Sequence, residues 1–113
     1  MSNIFDVVCH EDIVIVTPLI EMGEFDFARI DAGAGDILDL MTDGHVHSVI
    51  IDLHKTNNVG TTAIGWFIRL WKHACANGGS LALCGVSPTE MEVLQITKLD
   101  TLWSICQSRE EAI

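Results

Sequence analysis

Apolar and polar residues fall in blocks along this chain, and the period of the blocks changes. Ile4 to Val8 is a short apolar run, broken by His10, Glu11 and Asp12. Ile13 to Val16 are all β-branched, and Pro18 limits their continuation. Two short runs around a tight polar break predict an antiparallel hairpin. Glu21 to Asp26 is a turn-rich connection containing Gly23, with Asp26 placed to cap a helix. Phe27, Ile30, Ala34, Ile37, Leu38 and Met41 then recur at helical spacing, with Arg29, Asp36 and Asp39 on the other side. Gly33 and Gly35 weaken that helix by roughly 1 kcal/mol each, and close packing on a sheet is one reason to keep them.

Ser48 to Leu53 does not alternate, which predicts a central strand covered on both faces and parallel to a neighbour. A polar loop follows, His54 to Gly60, and helical period resumes at Thr61. At about 100° per residue, Ala63, Phe67, Leu70, Trp71 and Ala74 share one face, extended by Ile64 and Cys75. Trp66 falls on the other side, with Thr62, Arg69 and His73. Asn77-Gly78-Gly79 ends the helix, and Ser80 to Cys84 is another apolar strand. Ser87-Pro88-Thr89-Glu90 is a capping box with proline at the first helical position. Met91, Leu94 and Ile96 are the inward candidates of that helix. Lys98 to Thr101 reads as a turn, and Leu102 to Cys106 as a last strand. A second capping box, Ser108 to Glu111, opens a final helix. The order is β-β-α-β-α-β-α-β-α: about five strands and four helices in one α/β domain spanning residues 1–113.

Composition narrows the function classes. The chain has 113 residues, enough for one core that buries roughly two thirds of its unfolded surface. Its formal charge is −10, which argues against nucleic acid or an anionic membrane as partner. The opening residues carry no basic region followed by a long apolar one, and no apolar run approaches a membrane span. The four cysteines are far apart inside apolar segments, without a C-x-x-C. They read as buried reduced thiols in a cytoplasmic protein, with a disulfide as the alternative.

The chemistry concentrates between Val49 and Lys72. His45, His47 and His54 do not complete a metal-ligand set at recognisable spacing, and exposed loop histidines are the simpler reading. Asp52 ends a strand, as an acceptor aspartate does in response regulators. Glu11-Asp12 is misplaced for that fold, however, which leaves a structural aspartate. There is no nucleophile–base pair and no phosphate loop, so no catalytic residue, cofactor or metal is expected. Trp66 beside Arg69 has two readings, an interface anchor or a tryptophan at the edge of the core.

Several of these stretches together resemble the STAS domain, the sulfate-transporter and anti-sigma-factor-antagonist fold. Gly23-Glu24-Phe25-Asp26 is similar to the G-x-L-D before that family's first helix. Val49 to Leu53 resembles its central strand, and Gly78-Gly79 with Ser80 to Cys84 its G-G-x-L-x-L strand. Ser87-Pro88, Leu94, Leu99 and Glu110-Glu111-Ala112 also fall in place. The family's switch motif is D-S-x-G or D-T-x-G at the start of the second helix, and its first hydroxyl residue accepts phosphate. Gly60-Thr61-Thr62-Ala63 stands there in this chain, so the resemblance implies Thr61 as phosphoacceptor, with glycine replacing the acid and alanine the last glycine. From the residues alone, Thr61 is a plain helix-start threonine.

The resemblance implies a stand-alone antagonist that binds an anti-sigma factor or serine/threonine-kinase-like protein. Its partner face would comprise Gly23, Glu24, Asp26, Asn57, Asn58, Gly60, Thr61, Thr62, Trp66 and Arg69. The alternatives are a ligand-binding or sensory module that is not phosphorylated, and a scaffold subunit.

Overall fold

The structure, a computed structural model, describes residues 5–19, 35, 37, 39, 47–56 and 61–107. Five strands form one sheet in the order β1-β2-β3-β4-β5: Phe5–His10, Ile13–Pro18, Ser48–Asp52, Leu81–Cys84 and Ser104–Cys106. β1 and β2 are the predicted hairpin, paired antiparallel from Phe5↔Pro18 to His10↔Ile13. The break is tighter than the polar residues suggested: His10 stays in the strand, and Glu11 turns the chain at φ 56°. β2, β3, β4 and β5 run parallel to one another. β3 is the middle strand, as its unbroken apolar run predicts.

Two helices have defined bounds among the described residues, against four predicted: α1, Thr61–Ala76, and α2, Pro88–Ile96. Gly35, Ile37 and Asp39 are also helical and lie within the first predicted helix. The predicted last helix, opened by Ser108, lies outside the described residues. The turn from Lys98 is a 3-10 helix, Leu99–Thr101, and the final strand starts two residues later than predicted, at Ser104.

The period-two geometry of each strand divides the apolar side chains between two faces. Val14, Val16, Val49, Ile51, Leu81 and Leu83 face the helices and form one core with Ile37, Leu94 and the buried side of α1. Ile15, Ile50 and Cys84 form a second cluster on the opposite face, with Ile13, Ala82 and Cys106 against it. Covering on both faces explains why β2 to β4 show no polar alternation. Connections between successive parallel neighbours are right-handed, which places their helices on one face. The shared cluster of Ile37, α1 and Leu94 agrees with that.

Gly78 and Gly79 divide their work. Gly78 takes the left-handed conformation, φ 80°, that ends α1. A Cβ on Gly79 would overlap the His47 carbonyl, so the second glycine lets the chain cross the start of β3.

Some sequence expectations are corrected. Gly35 has nothing within 4 Å of an added Cβ among the described residues, and close packing on them does not require it. Ile96 is 80% exposed, because it sits two residues past Leu94 and therefore nearly opposite it on α2. Cys75 is exposed on the flank of α1, and Cys9 is exposed on the edge strand. None of the four cysteines is in a disulfide.

Candidate functional site

The parallel strands share a carboxyl-terminal rim, the place where ligands and partners meet open α/β sheets. β3 leaves the sheet there. Its last ladder bond runs from the Leu53 N–H to the Cys84 carbonyl, 2.8 Å. Asp52 is buried, and its Oδ1 accepts two hydrogen bonds from His54: the backbone N–H at 3.1 Å and the ring Nδ1–H at 2.7 Å. A carboxylate only accepts, so this bond places the imidazole proton on Nδ1. Asp52 is thus a structural aspartate that turns the chain out of the strand. Gly85 lies directly against this turn at φ 64°, and a Cβ there would come within 2.8 Å of the His54 nitrogen.

The next residues are held from below. The Thr56 N–H donates to the Leu53 carbonyl at 3.0 Å, closing a turn. The Thr56 hydroxyl donates to Glu90 Oε2 at 2.6 Å, with the Leu53 carbonyl a longer 3.3 Å away. Glu90 has no exposed surface. Its other oxygen, Oε1, accepts the Ser87 N–H at 2.9 Å, and the Ser87 hydroxyl accepts the Glu90 N–H at 3.1 Å. This is the capping box read from the sequence, but only half of its use was legible there. One carboxylate serves the α2 cap with one oxygen and the loop after β3 with the other. Thirty-four residues separate the partners, so no local spacing announces the contact. The signal available was the threonine that follows exposed His54 and Lys55.

α1 begins at Thr61, where the change of period predicts it. Its first turn carries no acidic residue, so no side chain there offsets the positive end of the helix dipole. Ala63, in place of the glycine of the motif, is fully buried against the core. Positions 62 and 69 are seven apart and share one stripe of α1, and Arg69 is exposed. Gly23, Glu24, Asp26, Asn57, Asn58 and Gly60 lie outside the described residues, as does His45.

Trp66 does not belong to this surface. It is 3% exposed, stacked at 4.6 Å on Phe5 and 5.2 Å from Phe67. The expectation that it stands with Arg69 on an exposed side is therefore corrected. Trp66 precedes Leu70 by one turn, so only about 40° separates them around the axis. A tryptophan on that flank is long enough to swing into the core, and Phe5 from β1 covers it. The cluster continues through Phe67 to Trp103, 6.3 Å, and from Trp103 to Trp71, 6.5 Å.

His47 is exposed and His54 is half-exposed. No grouping of three or more His, Cys, Asp or Glu able to hold a metal occurs among the described residues. No helix among them is long and apolar enough to cross a membrane.

Comparison with known proteins agrees with this geometry. A Thermotoga maritima protein assigned as an anti-sigma factor antagonist superposes with a TM-score of 0.83 at 21% identity, over 98% of this chain and 92% of that one. An anti-sigma-factor antagonist (STAS) domain protein from Planctomyces limnophilus gives 0.82 at 28% identity, over 96% and 93%. The anti-sigma factor antagonist SpoIIAA in its unphosphorylated form gives 0.80 at 17% identity, over 96% and 92%. No curated protein sequence matches the chain significantly. The sequence profile of the STAS domain matches residues 5–112, nearly the whole chain, and by that match this protein belongs to the STAS-domain family.

Proposed function

We propose that this domain is a non-catalytic regulatory module of the anti-sigma-factor-antagonist type. It binds an anti-sigma factor or related kinase through the rim around Thr61, and phosphorylation of Thr61 releases that partner. The observation that carries the reading is the start of α1 at Thr61, on the carboxyl-terminal rim and one loop beyond the Asp52–Thr56 turn. SpoIIAA, a structural neighbour, has been solved in both unphosphorylated and phosphorylated forms, which supports a switch by phosphate on this fold.

The physics favours a switch that spares the fold. A phosphate brings about −1.5 to −2 charges at neutral pH. Unpaired N–H groups and the dipole at a helix start stabilise that charge. The cost falls on the complex, where the phosphate would be desolvated against a packed partner. The partner face is here the start of α1 with Arg69 and the loop before it, without Trp66.

The test incubates the protein with ATP and a kinase that co-purifies with it, and maps phosphate by mass spectrometry. Thr61→Glu should stay folded and bind the partner about a thousandfold more weakly, about 4 kcal/mol. Thr61→Ala should bind, resist modification, and lose no more than about 1 kcal/mol of stability, the worth of a helix cap. Phosphate found only elsewhere, or a Thr61→Glu variant that binds like the parent, would remove Thr61 from the mechanism.

A further inference from the structure

The two edges of the sheet are built differently. β5 is three residues long, and shortness is itself a protection against unwanted pairing. β1 is six residues long and, among the described residues, pairs with β2 alone. Its register with β2 is one-for-one throughout, so no bulge twists it away from another chain. It contains neither lysine nor proline, the usual guards of an open edge. Asp6 to His10 are exposed, and the two valines at the centre, Val7 and Val8, are 39% and 42% exposed on opposite faces.

The sequence of this edge matches itself when reversed. With a twofold axis at Val8, an antiparallel copy places Asp6 opposite the partner's His10, a carboxylate against an imidazole. It places Val7 opposite the partner's Cys9, and Val8 opposite the partner's Val8. Asp6, Val8 and His10 share one face, while Val7 and Cys9 share the other. Each face therefore meets its own kind, charge against imidazole and apolar against apolar.

The backbone allows the same register. A two-residue turn, Glu11-Asp12, closes on the pair His10↔Ile13. In such hairpins the closing pair is hydrogen-bonded, and bonded pairs then alternate along the ladder. Residues 10, 8 and 6 accordingly turn their N–H and C=O groups toward β2. Val7 and Cys9 turn theirs outward, and these are the residues that the twofold register sets opposite each other.

We propose that β1 is a homodimerisation edge: a second copy of this chain pairs with it antiparallel about Val8, joining the two sheets into one. The pairing extends the sheet sideways and leaves the carboxyl-terminal rim uncovered. The inference therefore goes beyond the switch reading and does not depend on it.

Sedimentation equilibrium over a wide concentration range tests the dimer, at moderate salt to screen repulsion between two copies of charge −10. The parent should self-associate to a dimer. Val8→Lys, which sets two like charges against each other on the axis, should weaken it at least about tenfold while circular dichroism and melting stay near the parent's. Register is tested separately, in a background with Cys9→Ser and Cys75→Ser. Paired residues on the axis are non-hydrogen-bonded, with Cα atoms about 4.5 Å apart, within reach of a disulfide. Val8→Cys should cross-link into a covalent dimer on mild oxidation, and Val7→Cys at least about tenfold more slowly. The cross-link carries the test if Val8→Lys fails to fold. A parent that stays monomeric at every concentration would overturn the proposal, and would leave the edge to a strand from another protein. A folded Val8→Lys that dimerises like the parent, or a Val7→Cys that cross-links as fast as Val8→Cys, would overturn it equally.

Discussion

Two neighbouring regions of this molecule are held together in opposite ways. Under α1, Phe5, Trp66, Phe67 and Trp103 form a core whose strength is apolar area. Among the described residues, the indole nitrogens of Trp66 and Trp103 have no hydrogen-bond partner, although both are buried. At the rim, Asp52, His54, Thr56, Ser87 and Glu90 are joined by hydrogen bonds between named atoms, and two of them are almost without exposed surface: Glu90 at 0% and Thr56 at 3%. Area tolerates an unsatisfied N–H because a large ring more than offsets it. A hydrogen-bonded corner has no such reserve, since each bond depends on the distance and angle between its two groups. The stable part of this protein is thus forgiving in detail and the rim is not.

The largest expected effect lies in the aromatic region. Trp66→Ala should cost about 3–5 kcal/mol of stability, the range for removing a buried aromatic ring. Trp66→Phe should cost much less, since it keeps most of the area and deletes the unpartnered N–H. Urea unfolding followed by circular dichroism measures both. If Trp66→Ala melts like the parent and loses only partner binding, Trp66 is a surface anchor after all and the packing on Phe5 is incidental.

The next effect belongs to the rim. Glu90→Ala strands the Ser87 N–H, leaves the Thr56 hydroxyl only its longer contact with the Leu53 carbonyl, and should cost about 2–3 kcal/mol. Thr56→Val leaves one carboxylate oxygen short of a donor and should cost less. Combining Thr56→Val with Glu90→Ala should be milder than the sum of the single changes, because the Thr56 hydroxyl then no longer waits for its main acceptor, while the Ser87 N–H is stranded with or without Thr56. A double-mutant cycle reads this directly. Strict additivity would show that Thr56 and Glu90 do not act on each other, and that the loop is shaped without them.

The same contrast decides what the sequence disclosed. The hairpin, the central place of β3 and the start of α1 were legible, because each rests on period or on a local cap. The capping role of Glu90 was legible for the same reason. Its bond to Thr56 was not, since it joins residues far apart that only the fold brings together. Trp66 went astray for a different cause. A helical wheel assigns sides by angle alone, and it ignores both the length of a tryptophan and the strand that happens to cover it. Of the candidate partner face, Thr61 and Arg69 stand where helical period puts them, at the start of α1 and on its exposed stripe.

The smallest effect tests whether the rim is as exacting as its hydrogen bonds suggest, using one substitution at two glycines. Gly65 lies inside α1, exposed, with nothing within 4 Å of an added Cβ. Gly65→Ala should therefore stabilise the protein by up to about 1 kcal/mol, through helix propensity and a less free unfolded chain. Gly85 is the reverse case. Its φ of 64° favours glycine, and a Cβ would approach His54 N, His54 Cβ and Asp52 Oδ1 at 2.8, 2.9 and 3.0 Å. Two of these are the atoms of the Asp52–His54 turn, so neither can give way without lengthening its bond. Gly85→Ala should cost about 1–2 kcal/mol from the left-handed backbone and the crowding together. The damage should be local, with the His54 amide exchanging with solvent faster while amides of β3 keep their protection. Hydrogen exchange resolved by residue separates the two. A Gly85→Ala protein as stable as the parent, with an equally protected His54 amide, would show that the rim yields as easily as the helix surface, and the contrast between the two regions would not hold.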